Sequence, residues 1–414
     1  MTPLLIFLLV LIVGFISTNF IFSRIQTRFY APSGIEYIFL GILLGPAFAN
    51  WMNTFLNIKY PLIITNDILI QLNPGISAAI GFIGLTYGLK FQFTDFQKSE
   101  PEHTRIAFFE IFISLLVIGG GSFALFYLFF YNGNNFEDII AAAYGLSVIG
   151  GISSTYFIKT LITKYKLNGV YSSAISSSSI MNVNFNIFIY GLLFGIIHIG
   201  SNANIKITPT EWIVISILIA VVIGILFFIF LGREKDTNKL FVAVLGIALF
   251  TSGVAYFLNF SPLYMNFILG AILANLSKVS SNIEDALTRL QHPLSVLIVV
   301  MAGFIWVPPS LTIFIIAIAA YIVLRYLTKF IAGYLAYQSA YDKEKLSSGI
   351  GKGLLPHDII ACAMVIDYYN VYNNQFTPIV VSCVLVSVIL FNMVGYSTTK
   401  SYLIDVGEIS GEKL

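Results

Sequence analysis

Apolar runs of roughly 18–30 residues recur from one end of the chain to the other, and each is long enough for a helix to cross a hydrocarbon core. Short clusters of charge separate them. Of 414 residues, 57% are hydrophobic and only 10% charged, against about 25% charged in a soluble domain. The chain therefore reads as an integral membrane protein. A net charge of +2 provides no field for polyanions. The sequence also has no Gly-Lys-Ser/Thr phosphate loop, no metal-spaced Cys/His cluster and no run of like charges. A soluble enzyme and a nucleic-acid binder are excluded. No enzymatic chemistry and no cofactor are expected, and the partners left are small solutes, the lipid bilayer and other membrane proteins.

Breaks at charge, Pro, Gly and Asn predict about thirteen spans. They run over 2–23, 33–52, 70–89, 106–131, 138–158, 168–198, 209–231, 240–258, 262–277, 288–306, 309–338, 347–369 and 376–399. The first lacks the positive start and small-residue cleavage site of a signal peptide, so it reads as a retained span. The short stretches left over leave no room for a soluble domain. Cys362 and Cys383 both fall inside apolar runs, where a thiol acts as a small hydrophobe, and they say nothing about compartment.

Orientation follows from lysine and arginine, which collect in cytoplasmic loops. Arg24 and Arg28 follow the first span, Lys90, Lys98 and Arg105 the third, Lys159, Lys164 and Lys166 the fifth, and Arg233, Lys235 and Lys239 the seventh. The same face then takes Lys278, Arg289, Lys343, Lys345, Lys400 and Lys413, while the opposite face holds only Lys59 and Lys206. The N-terminus is expected outside and the C-terminus in the cytoplasm.

Leu44-Gly45-Pro46-Ala47-Phe48-Ala49-Asn50 in the second span matches Leu269-Gly270-Ala271-Ile272-Leu273-Ala274-Asn275 in the ninth at Leu, Gly, Ala and Asn. The two spans cross in opposite directions, so the chain is expected to be one membrane domain, 1–414. It would contain inverted repeats over about 33–198 and 262–399, linked by helices over about 209–258, as in many secondary transporters. Small residues that independently let helices pack closely are the alternative.

The repeat pairs the fifth span with the twelfth, the two least helix-like. The fifth carries Gly150 and Gly151 before Ser153, Ser154 and Thr155, and the twelfth carries Gly351, Lys352, Gly353, Pro356, His357 and Asp358. Non-helical backbone at membrane depth is tolerated where it is buried in protein or lines a polar cavity. Breaks are expected over Gly150–Thr155 and Gly351–His357; glycine used for close packing is the alternative.

Four stretches bear on identity. Gly34 to Pro46 resembles the opening motif of the monovalent cation:proton antiporters of the bacterial sodium/proton and potassium/proton type. Gly353-Leu354-Leu355-Pro356 resembles their second broken helix and Gly151 to Thr155 their first, and Arg325 to Gly333 is similar to their basic motif. The resemblance implies an all-α fold of about thirteen spans with two crossed discontinuous helices. It further implies exchange of Na⁺ or K⁺ for protons by alternating access, in a homodimer of the bacterial inner membrane, with Lys329 facing the ion site.

In one respect the chain departs from that family, whose sixth span carries one or two aspartates. Here it reads Ser176-Ser177-Ser178-Ser179-Ile180-Met181-Asn182-Val183-Asn184-Phe185-Asn186, without an acid. Asn182 aligns best with the aspartate position, with Asn184 as the alternative, and Asn186 lies one turn beyond Asn182. An amide oxygen can coordinate Na⁺ or K⁺, and Asn182 with Ser154 is the expected cation site, but an amide does not titrate. Lys329 then becomes the expected proton carrier.

Ionisable groups within spans are functional by default. Arg325, one turn from Lys329 on the same face, requires a carbonyl or carboxylate partner. Lys352, His357 and Asp358 form either a proton relay or, for Asp358, a helix cap. Glu110 reads as an interfacial partner of Arg105, and Glu36 likewise as interfacial. Two other readings remain open on these residues. One is an anion carrier, because Lys329 and Arg325 are not visibly neutralised; the other is a non-transporting membrane sensor or subunit.

Overall fold

A computed structural model describes residues 34–55, 66–133, 135–199, 207–231, 237–276, 280–308 and 312–409. The expected span over 2–23 lies outside the described residues, as do Arg24, Arg28, Lys59, Lys206, Arg233, Lys235, Lys278 and Lys413. Among the described residues the chain is helical, with no strand. The helices are α1 (Ile35–Leu44), α2 (Pro46–Phe55), α3 (Asn66–Leu89), α4 (Phe93–Lys98), α5 (Pro101–Ile113), α6 (Gly120–Phe130), α7 (Phe136–Gly150), α8 (Thr155–Tyr165) and α9 (Val170–Ile196). They continue with α10 (Pro209–Leu231), α11 (Thr237–Phe257), α12 (Pro262–Leu276), α13 (Ser280–Phe304), α14 (Thr312–Ser339), α15 (Ile360–Val371) and α16 (Thr377–Asp405).

Eight helical stretches among the described residues are long and apolar enough to cross a membrane, or up to nine if the bent pair α1 and α2 is one span. That bend, 59°, was not expected within 33–52. Its cause is Pro46, which forces the preceding residue out of helical geometry; Gly45 is extended, with φ −72° and ψ 151°.

Helices split by environment. α10 turns Val214, Leu218, Val222, Leu226 and Ile229 outward, a stripe at helical spacing that suits lipid. α15 is instead enclosed from Ile360 through Tyr368. Glycines allow close approaches between helices. On α1, a Cβ at Gly41 would clash with the Val300 carbonyl of α13, and just past its end one at Gly45 would press on the Phe304 carbonyl. On α12, a Cβ at Gly270 would press on the Leu85 carbonyl of α3.

Both expected interruptions exist, with different edges. Gly150 still belongs to α7 and Thr155 already to α8, so only residues 151–154 are non-helical. Gly351 and Gly353 lie in a 3-10 turn, Ile350–Leu354, and the open stretch is 355–359. Close packing explains the turn. A Cβ on Gly351 would meet the Lys329 carbonyl of α14, and one on Gly333 would meet the backbone of Gly351. These glycines bring the turn against α14 rather than opening the backbone.

Candidate functional site

The two interruptions lie against one another. Ser154 N–H donates to the Pro356 carbonyl at 2.9 Å, and Ser153 Oγ lies 2.8 Å from the Leu354 carbonyl. Each interruption frees carbonyls at the end of one helical piece and N–H groups at the start of the next, groups that must be satisfied inside the membrane.

Cations take the carbonyls. Arg325, fully buried on α14, donates from Nη1 to the Leu355 carbonyl at 2.9 Å and from Nη2 to the Ile152 carbonyl at 3.0 Å. Its guanidinium carbon lies 4.4 Å from the Phe391 ring centre. One turn along, Lys329 Nζ donates to the Gly151 carbonyl at 2.7 Å, to Ser153 Oγ at 2.8 Å and to Glu110 Oε1 at 2.8 Å. Three donations use every N–H of an ammonium. Helix C-termini carry partial negative charge, which explains why both cations settle where α7 and the 3-10 turn end.

A carboxylate takes the N–H groups. Asp358 Oδ2 accepts from Thr155 N at 3.1 Å and Thr155 Oγ1 at 3.2 Å, while Oδ1 accepts from Ile360 N at 3.2 Å and Tyr87 Oη at 3.0 Å. Asp358 thus caps the starts of α8 and α15 together, the position a helix N-terminus favours for an anion.

The asparagines of α9 divide. Asn182 Oδ1 accepts from Ser153 N at 3.2 Å and its Nδ2 donates to the Gly151 carbonyl at 3.1 Å, so its amide spans the α7–α8 interruption. Asn186 Nδ2 donates to the Asn182 carbonyl at 2.8 Å. Asn184 Oδ1 is buried without a donor. Asn184 also lines a cavity of about 860 Å³, together with Tyr87, Lys90, Asp95, Lys98, Thr155, Lys159, Ser177 and Asp358. Ser154 reaches the junction through its backbone, with no side-chain cap bond.

Two expected placements are corrected. Lys352 is not at the junction: its side chain is 43% exposed and pairs with Asp405 at 3.0 Å, because the 3-10 turn carries it to the level of the end of α16. The expected cluster of Lys352, His357 and Asp358 therefore does not form. His357 remains buried, with its N–H on Asn392 Oδ1 at 2.8 Å and neither ring nitrogen bonded. Glu110 is not interfacial: it is fully buried and pairs with Lys329, while Arg105 stacks on Tyr341, its guanidinium carbon 3.7 Å from the ring centre. Lys329 is accordingly neutralised, contrary to the premise of the anion reading.

Glu110 had a usable signal. It stands five residues from Arg105, off the three- or four-residue spacing of a helix pair, and within the apolar stretch Phe108-Phe109-Glu110-Ile111-Phe112. Tyr87 and Asp367 were also missed. Asp367, enclosed on α15, accepts from Ser261 Oγ, which in turn accepts from Tyr264 N at the start of α12. Glu36 accepts from Gly34 N–H at 2.9 Å at the start of α1. Among the described residues no group of three or more His, Cys, Asp or Glu is placed to hold a metal ion.

Residues 3–395 match the family model of the transmembrane sodium/hydrogen exchanger. Among solved structures, the chain is similar to the sodium proton antiporter MjNhaP1 from Methanocaldococcus jannaschii at pH 8. The TM-score is 0.67 at 15% identity, covering 96% of this chain and 97% of that one. An electron-microscopy structure of MjNhaP1 gives a TM-score of 0.60 at 12% identity, covering 97% and 98%. Identities this low carry the fold alone. No curated protein sequence matches the chain. With nearly its whole length matched by one family model and its helices arranged as in an antiporter, the chain belongs to the sodium/hydrogen exchanger family.

Proposed function

We propose that this protein exchanges a monovalent cation, Na⁺ or K⁺, for protons by alternating access. The observation that carries the proposal is the enclosed Lys329–Glu110 pair at the meeting of two helix interruptions, beside a cavity that reaches Thr155, the first residue of α8, and Asp358 in the second interruption. Family membership supports cation:proton antiport at the coarser level.

Lys329 is the proton carrier of this reading, with Glu110 as its counter-ion. An ammonium donating three hydrogen bonds is the proton-loaded form. A cation entering at the Thr155 end of the four-residue interruption faces that ammonium at the Gly151–Ser153 end. Like charges in a poorly screened interior repel, so a protonated Lys329 and a bound cation disfavour one another. Asn182 positions the interruption, and Arg325 fastens it to the second one.

Access alternates as the paired interruptions move against the surrounding helices. The cavity is lined by Lys90, Lys98 and Lys159, residues of the expected cytoplasmic face, so this conformation is taken as inward-facing. The equivalent approaches of Gly45 on Phe304 and Gly270 on Leu85 support one domain built of inverted repeats. Two crossed broken helices, a homodimer and an inner-membrane location belong to the same reading.

Purified protein in proteoliposomes carrying an acidic interior and a pH-sensitive dye tests the exchange. Na⁺ or K⁺ added outside should dissipate the gradient, and choline chloride should not. Dissipation by chloride alone, or by none of these salts, would overturn the reading.

A further inference from the structure

We infer that the substrate cation is held by Asp358 together with Tyr87, Thr155 and Asn184, so that the open stretch before α15 supplies the carboxylate that α9 lacks. This rests on the antiport reading for calling the ion a substrate. The first observation is position: all four residues line the same cavity, and Asp358 and Asn184 are each only 4% exposed. The second is Asn184 Oδ1, a buried acceptor without a donor. Leaving such a group unpaired is costly, and a hard cation with oxygen ligands removes the cost.

The donors on Asp358 differ in kind. Thr155 N and Ile360 N are backbone groups that cannot turn away, and they anchor one side of the carboxylate. Tyr87 Oη and Thr155 Oγ1 are hydroxyls. A hydroxyl has two acceptor lone pairs besides its hydrogen and rotates freely. When a cation arrives, both hydroxyls turn their hydrogens aside and present oxygen to it. The ion thus replaces two hydrogen bonds, and four side chains supply only oxygen ligands, with water from the cavity completing the shell.

Charge selects a monovalent ion. One carboxylate balances one positive charge, and no second acid lies among these ligands. The starts of α8 and α15 oppose the cation with their partial positive charge, which keeps the affinity weak, as release on the far side requires. Lys90, Lys98 and Lys159 line the cavity as well, with Asp95 among them; charges in contact with water are screened beyond roughly 8–10 Å.

The test uses full-length protein, with Na⁺ and K⁺ as probes and choline for ionic strength, read both as proteoliposome flux and as thermal stabilisation in detergent. Tyr87→Phe and Asn184→Ala should each raise the cation concentration for half-saturation about three- to tenfold, the worth of one lost polar contact. Asp358→Asn should abolish the cation response in both readouts. Wild-type flux with unchanged half-saturation in Tyr87→Phe and Asn184→Ala would overturn this site and leave antiport standing. Absence of wild-type flux would overturn antiport, and thermal stabilisation would still decide the site. No cation-specific stabilisation of the wild type in that case would overturn the site as well.

Discussion

Removing Glu110 isolates the Lys329 ammonium in a fully enclosed place. In Glu110→Gln, Nζ keeps the Gly151 carbonyl and Ser153 Oγ but loses its only carboxylate. Breaking a buried pair from one side costs about 3–5 kcal/mol, because the remaining charge has no compensation. At roughly 2.1 cal/mol/K per residue, a chain of 414 residues would convert this into a fall of about 3–6 °C in melting temperature. Lys329→Gln should fall similarly, since Glu110 would then be the stranded charge. The double variant Glu110→Gln with Lys329→Gln strands nothing, so its loss should be smaller than the sum of the singles by at least about 2 kcal/mol equivalent. Intrinsic fluorescence during heating in one detergent checks all four proteins. A double-variant loss equal to the sum, or a Glu110→Gln loss below about 1 °C, would refute the pairing as the stabilising contact.

Asn184→Cys, lining the cavity, should react with small aqueous thiol reagents, whereas Leu355→Cys, buried and not among the residues that line it, should stay unlabelled until the protein changes conformation; equal labelling at once would contradict the geometry. Lys352→Ala removes a pair that is 43% and 54% exposed, and should change stability by less than about 1 kcal/mol and leave cation-driven flux intact. Glu408 accepts from Tyr171 N at 2.6 Å and Ser172 N at 3.1 Å at the start of α9. Glu408→Ala should therefore cost about 1–2 kcal/mol as a lost cap, read as a lower melting temperature.

Apolar length made the all-helical membrane fold legible, because a bilayer leaves few alternatives for the backbone, and the Gly and Pro clusters marked the neighbourhood of both interruptions, though Gly351 and Gly353 serve close packing. Arg325, Lys329 and Asp358 were legible for the same reason: a charge within a span needs a reason to be there. Pairings were not. Glu110 meets Lys329 from 219 positions away, and no local pattern carries that contact. Lys352 was misplaced because an apolar run does not reveal where a 3-10 turn holds its residues. Asn182 and Asn184 look alike in sequence and differ only in which face of α9 they occupy, one spanning the interruption and the other lining the cavity.

Coupling through Lys329 is tested most directly by solid-supported-membrane currents. Wild-type protein and Lys329→Gln would be compared during Na⁺ and K⁺ concentration jumps across a range of pH. The expected result is a cation current in the wild type whose half-saturation shifts with pH, and a loss of that pH dependence in Lys329→Gln. A Lys329→Gln protein whose currents follow pH as the wild type's do would contradict the assignment of the proton to Lys329.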